Sequence, residues 1–263
     1  MKKLIYQVYL GKKSKLYDHC TASVAAYAKR IGADHVVQRT PILMITPDPF
    51  QTNRSKESYQ KHGGFLPIFE KENAFAYFRS YDQIAIIDAD IYVRDNSPDI
   101  FDDLDDSFQF GGVIERSMPI TNAYKSKINN YSNMQYRKKK HRALFKWTND
   151  AGANFYNMGM MVMNKSFSEY LEGQTPQQFL RRPEFKGFID GLGGWKWSTD
   201  QTLLNIFVKE SGMICKDMDW KWNALYTAIQ PDKIKEAHFV HFFLKDKLPN
   251  GGENVEELMK RVS

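Results

Sequence analysis

The chain is poor in cysteine: among 263 residues there are two, Cys20 and Cys215, far apart in sequence. They make no zinc-type cluster and are too few for a disulfide framework, which fits a reducing compartment. No apolar run reaches about eighteen residues, so no spanning helix is expected. The opening MKKLIYQVYLGKK is basic, but its apolar run is short, is broken by Gln7 and leads to no small-residue cleavage site, so no secretory signal is expected. No solenoid repeat is present, although Trp-Lys-Trp occurs at 195–197 and again at 220–222. The most local absence is of acid. Between Glu115 and Asp150 there is none, while Lys125, Lys127, Arg137, Lys138, Lys139, Lys140, Arg142 and Lys146 all fall there. Such a block attracts phosphates, nucleic acid or an anionic membrane surface, or else is a solvated loop. These features together predict a cytoplasmic protein, soluble or peripherally membrane-associated.

What is present reads as α/β. LIYQVYL (4–10) has the branched and aromatic residues of a strand. SKLYDHCTASVAAYAKRIG has helical spacing and ends at Gly32, a good terminator. ADHVVQR predicts a second strand, the proline-rich TPILMITPDPFQTN a loop, and LPIFEKENAFAYFRSY a helix leading into IAIIDADIYV (84–93), read as a buried strand. NSPDIFDDL predicts a short helix and FQFGGVIE a strand. After the basic block, NFYNMGMMVMNK predicts a strand whose Met160, Met161 and Met163 are core. SFSEYLEG, TPQQFLRR and STDQTLLNIFVKESG predict helices; MICKDMD and AHFVHFF predict strands. This alternation implies an open sheet with parallel neighbours and helices on its faces.

Within IAIIDADIYV, two acids interrupt an apolar run. In an open α/β sheet, ligands bind beyond the carboxyl ends of the strands. On a strand, residues i and i+2 point the same way, roughly 6.5 Å apart, so Asp88 and Asp90 could share a divalent cation. Oxygen ligands favour Mg²⁺ or Mn²⁺ over zinc. An Asp that caps the following turn would account for one of the two acids.

An apolar strand ending in Asp-x-Asp resembles the metal-dependent nucleotide-sugar glycosyltransferases of the GT-A type. The nearest likeness is to glycosyltransferase family eight, which includes glycogenin and bacterial galactosyltransferases. Further segments agree in order along the chain. KENAFAYFRSYDQIAIIDADIYV resembles the family's helix-then-strand lead-in, with Lys71 where Lys or Arg is frequent. FYNMGMMVMNK resembles its Asn-Ala-Gly segment, keeping Asn157 and Gly159 but carrying Met158. TDQTLLN resembles its Asp-Gln-Asp helix at Asp200 and Gln201, with Thr202 in place of the second Asp. HFFLKDKLP keeps His241 and Lys247 at the family spacing, with Leu244 at the glycine and Leu248 inserted before Pro249. WKWN is similar to a Trp-Asn pair that precedes that segment. The resemblance implies a single Rossmann-like GT-A domain with a mixed central sheet flanked by helices. It spans 1–250, with a nucleotide-binding part (1–115), a sugar and acceptor part (150–250), a basic flexible insertion at 116–149 and a C-terminal helix or tail at 251–263.

By that resemblance, Asp88, Asp90 and His241 would hold Mn²⁺ or Mg²⁺. Lys71, Asp88, Asn157, Gly159 and Lys247 would bind the donor, a UDP-sugar by likeness, and Asp200 and Gln201 would be catalytic. The acceptor would be a carbohydrate, a lipid-linked or a protein hydroxyl; no nucleic acid is expected, and the basic block leaves room for peripheral membrane contact. Asp200 and Gln201 otherwise read as an ordinary helix start capped by Ser198 or Thr199. Trp195, Trp197, Trp220 and Trp222 suit sugar stacking or core packing alike. Two rival readings remain. One is a haloacid-dehalogenase-type phosphatase with Asp88 as nucleophile, although Tyr92 stands where that motif usually has Thr or Val. The other is a nucleic-acid-binding protein that uses the basic block with Tyr124, Tyr131, Tyr136 and Trp147 for stacking.

Overall fold

The computed structural model describes residues 1–48, 53–197 and 199–262. Ser198, the side chains of Lys139 and Trp197, and part of the proline-rich loop lie outside the described residues. Among the described residues, nine strands form two sheets: β1 (Lys3–Val8), β2 (Asp34–Gln38), β3 (Gln83–Ile87), β4 (Ile91–Val93), β5 (Phe110–Ile114), β6 (Tyr156–Asn164), β7 (Cys215–Asp217), β8 (Ala224–Leu225) and β9 (Phe239–His241). The larger sheet has the order β2-β1-β3-β6-β5-β7. β1 runs parallel to β2 and β3, β6 runs antiparallel to β3 and β5, and β7 is parallel to β5. The mixed α/β architecture expected from the sequence is therefore present.

Strand alternation sorts the core into two faces. Leu4, Tyr6, Ile84, Ile86, Met161 and Met163 face one layer; Ile5, Ala85, Ile87, Met160 and Val162 face the other. Period-two alternation with both faces apolar is what a sheet covered on both sides requires. The methionines of β6 are core, as expected. The helix Lys15–Arg30 starts at the Ser14 cap and gives way at Ile31 to Gly32, whose φ of +68° a glycine accommodates without strain. Both cysteines are free thiols. No helix among the described residues is long and apolar enough to cross a membrane.

The structure corrects three local expectations. IAIIDADIYV is not one strand: β3 ends at Ile87, the chain turns through Asp88–Ala89–Asp90, and β4 belongs to the smaller sheet β4-β9-β8. The amide of Ile91 donates to Asp88 O at 3.1 Å, closing the turn. NSPDIFDDL forms turns rather than a helix; residues Pro67–Arg79 are helical as expected, in 3₁₀ form.

The basic segment is the third correction. Expected to be irregular, it contains the helix Asn122–Tyr136, capped by Thr121, and a short helix Lys139–Arg142. Ile128, Ser132, Gln135 and Tyr136 are buried and Tyr131 packs against the core. The inward face is thus helical in period, but Ser132 and Gln135 hide it from an apolar count. Acids from outside the segment answer part of its charge: Arg116 pairs with Asp150, and Lys140 lies 3.8 Å from Glu210.

One buried carboxylate shapes the loop after β2. Glu70, with no exposed surface, accepts from the backbone N–H groups of Ile42 (2.7 Å), Leu43 (3.0 Å) and Met44 (2.7 Å) and from Gln38 Nε2 (2.7 Å). Orphaning a buried donor costs about 1–3 kcal/mol. Glu70→Ala is therefore expected to lower unfolding stability by about 3 kcal/mol or more. Urea denaturation measures this, and a loss below about 0.5 kcal/mol, the scale of an inconsequential surface change, would contradict the anchoring role.

Candidate functional site

The turn between β3 and β4 places Asp88 and Asp90 where the two sheets meet. Each end is tied down: the Asp88 amide donates to Gly159 O of β6 at 2.8 Å, and Asp90 O accepts from Phe242 N, just beyond β9, at 2.9 Å. β4 and β9 are antiparallel with Ile91 opposite His241, which brings the histidine to the two acids. One ligand atom from each of Asp88, Asp90 and His241 lies within 4.8 Å of the others. His241 Nε2 is 3.3 Å from Asp90 Oδ1 and 3.9 Å from Asp88 Oδ2.

The two carboxylates differ in electrostatics. Burial, only partly offset by the Lys71 ammonium and reinforced by Asp90, raises the Asp88 pKa. Burial also opposes ionisation of Asp90, but the adjacent His241 holds its pKa below the usual value. Burial alone would lower the His241 pKa; Asp90 and Asp88 raise it instead. Two oxygen donors and one imidazole converging on one point form a set that a divalent ion of the Mn²⁺ type accepts, and the ion would relieve the repulsion between the acids.

Lys71 lies on the other side of Asp88. Its Nζ is 2.9 Å from Asp88 Oδ1, Asp200 Oδ2 and Met158 O. Although burial disfavours its charge, Asp200 and Asp88 keep it protonated well above the ordinary lysine pKa. Asp200 opens the helix Asp200–Glu210, whose N-cap is Thr199. Lys71, Asp88, Asp90 and Asp200 line a cleft of about 270 Å³ together with Val8, Leu10, Tyr17, Pro67, Ile68 and Ala89.

Asn157, Gly159 and Gln201 stand behind the acids. Gln201 Oε1 accepts from Met158 N at 3.1 Å. A Cβ on Gly159 would come within 2.3 Å of His241 Cε1 and 2.6 Å of its Nδ1, so a glycine there is what lets the imidazole approach. Lys247 is set apart from this group. It is exposed on the turn Lys245–Lys247, does not line the cleft, and its ammonium neighbours that of Lys127. Leu244, at the position compared with a family glycine, has φ +57° and keeps the left-handed backbone that glycine would favour. Of the tryptophans, Trp222 is core, with Nε1 donating to Asp103 Oδ2, and Trp195 packs against Phe188 and His141.

Sequence reasoning missed Glu115. It is buried at the end of β5 and accepts from Tyr124 OH (2.7 Å) and Asn157 Nδ2 (2.8 Å). Burial raises its pKa despite these donors. The available signal was a lone acid ending the apolar strand FQFGGVIE.

Comparison with protein-family models gives no match, and comparison with curated proteins gives none. Solved structures do share the fold. A glycosyltransferase involved in glycosylation of the major capsid of PBCV-1 aligns over 98% of this chain and 100% of its own, at TM-score 0.56 and 13% identity. The galactosyltransferase LgtC, in complex with donor and acceptor sugar analogues, aligns over 98% and 95% at TM-score 0.53 and 12% identity. The bifunctional glycosyltransferase WbbM aligns over 99% of this chain but 51% of its own, at TM-score 0.54 and 12% identity. The chain thus has the GT-A glycosyltransferase fold.

Two outcomes follow from the geometry. Gly159→Ala, which drives a methyl into His241, is expected to weaken Mn²⁺ binding at least about tenfold while the protein stays folded. Calorimetric titration with matched circular dichroism checks this; unchanged affinity would remove His241 from the ligand set. Protonated His241 cannot bind metal. Mn²⁺ affinity should therefore climb about tenfold per pH unit below the raised His241 pKa and level off above it, with one proton released per ion. A pH-independent affinity across that window would contradict the assignment.

Proposed function

We propose that the protein transfers a glycosyl group from a nucleotide-sugar to an acceptor hydroxyl, with a divalent metal held by Asp88, Asp90 and His241. The observation that carries this reading is the convergence of those three ligands on a cleft also lined by Lys71 and Asp200. When the bond from the sugar's anomeric carbon to the donor diphosphate breaks, negative charge grows on the leaving oxygen. A divalent ion bound there supplies positive charge to that leaving group. Lys71, fixed by two carboxylates and a carbonyl, adds a preorganised charge beside it. Asp200 meets the sugar at the cleft wall, and Gln201, next in the helix, stands behind it with Oε1 on the Met158 amide. Lys247, with Lys127 beside it, faces solvent at the rim and serves the outer phosphate or an anionic acceptor. UDP as the nucleotide and Mn²⁺ as the metal follow from the sequence resemblance. The acceptor class is a carbohydrate, lipid-linked or protein hydroxyl.

The nucleic-acid alternative loses its stacking surface. Tyr136 is buried, Tyr131 bonds to Thr202, Tyr124 bonds to Glu115, and Trp147 donates to Arg142 O.

The test is a screen of nucleotide-sugars for Mn²⁺-dependent hydrolysis, which needs no acceptor. One donor is expected to be cleaved, and Asp90→Asn to slow that cleavage about 100-fold or more, the scale of losing a leaving-group stabiliser. Full activity of Asp90→Asn in EDTA would overturn the reading. Asp200→Ala is expected to lower kcat more than nucleotide affinity, because Asp200 reaches the diphosphate only through Lys71, 2.9 Å away; a loss confined to affinity for the bare nucleotide would contradict that division.

A further inference from the structure

The hydrogen bonds behind the metal ligands have a direction, and one backbone group sets it. The Gly159 N–H donates to Asn157 Oδ1 at 3.0 Å. A backbone N–H cannot become an acceptor, so the Asn157 amide is held oxygen-first, with its Nδ2 directed at Glu115 Oε2, 2.8 Å away. That same Oδ1 faces Asn223 at 2.8 Å, so Asn223 must present its Nδ2. Asn223 Oδ1 is then left 3.0 Å from His241 Nδ1, which must carry the proton. In the neutral ring, the lone pair therefore belongs to Nε2, the atom 3.3 Å from Asp90 Oδ1. Relative exposure is 7% for Asn157, 0% for Asn223, 5% for Glu115 and 5% for His241, so water offers these groups little competition.

We infer that Asn157 and Asn223 are positioning residues acting through His241, and that Asn157 does not itself recognise the sugar. Both atoms of its amide are engaged: the oxygen by Gly159 and Asn223, the nitrogen by Glu115. The chain Glu115–Asn157–Asn223–His241 fixes one imidazole tautomer and one ring orientation, so that Nε2 meets an ion already prepared to bind it. Glu115 ends the chain as an acceptor on which Asn157 and Tyr124 converge, and Tyr124 in turn packs its ring on Phe243, 5.7 Å away, two residues beyond His241. This inference rests on the metal-site part of the proposed function and is independent of the sugar and the acceptor.

The experiment measures Mn²⁺ affinity in the full chain without any donor. Asn223→Ala and Asn157→Ala are each expected to weaken binding about 10–100-fold, the usual effect of removing a partner of a metal-bound histidine. The double variant should be little worse than either single, because both break one chain. Independently of any variant, ¹⁵N spectra of histidine-labelled wild type with Mg²⁺ bound should show His241 protonated at Nδ1. A wild-type ring protonated at Nε2 would overturn the inference even if the variants failed to fold. So would Asn157→Ala that binds Mn²⁺ like wild type yet loses donor cleavage, the signature of direct sugar contact. Weakened Mn²⁺ binding in both variants, in a protein that cleaves no nucleotide-sugar, would uphold the chain of bonds while refuting the transfer reaction.

Discussion

Too much negative charge meets where the two sheets join. Asp88, Asp90 and Asp200 lie around one cleft, with the buried Glu115 behind them, and Lys71 is shared between Asp88 and Asp200. Packing carboxylates at close quarters in a half-buried turn costs several kcal/mol per uncompensated ion. Burial, with Asp90 adding to it, raises the Asp88 pKa, while His241 holds that of Asp90 down. A divalent cation is the economical remedy, and the imidazole of His241 stands where it would complete the ligand set. The sheets, the loop anchored by Glu70 and the cradle at Gly159 can all be understood as the frame that holds this charge in place.

The frame explains why a turn serves better than a strand. On a continuous strand, Asp88 and Asp90 would share one face at a spacing set by the pleat. As built, the chain leaves the larger sheet at Ile87 and joins the smaller one at Ile91, so the acids occupy the joint between the two sheets. β6 supplies Gly159 and Asn157 from one side, and β9 supplies His241 from the other. A site spanning two sheets is sensitive to how they sit together, and the buried amides of Asn157 and Asn223 register that fit in hydrogen bonds.

Much of this was legible in the sequence, for physical reasons. Long apolar runs such as those of β3 and β6 announce strands buried on both faces, and Ser or Thr starts with glycine ends announce the helices Lys15–Arg30 and Asp200–Glu210. Asp88 and Asp90 stood out as acids interrupting an apolar run, His241 and Lys71 only through the family resemblance, and the structure brings those four together. Pattern could not show that IAIIDADIYV breaks in two, because both halves are apolar and strand-forming and their partners, β1 and β6 for one half and β9 for the other, are distant in sequence. The helix Asn122–Tyr136 was obscured because Ser132 and Gln135 occupy its buried face. Glu115 and Asn223 escaped notice as members of the site because their roles come from partners distant in sequence, Asn157 and His241. Lys247 shows the converse, a residue prominent by spacing that the fold leaves at the solvent-facing rim.

In the proposed function, the joint between the sheets holds a metal for a diphosphate. The most direct measurement is calorimetric binding of UDP to the wild-type protein, once with saturating Mn²⁺ and once with EDTA. Affinity is expected to rise about 100-fold with Mn²⁺, a coupling of about 3 kcal/mol, because ion and diphosphate each complete the other's coordination. Equal affinity in the two solutions would contradict it.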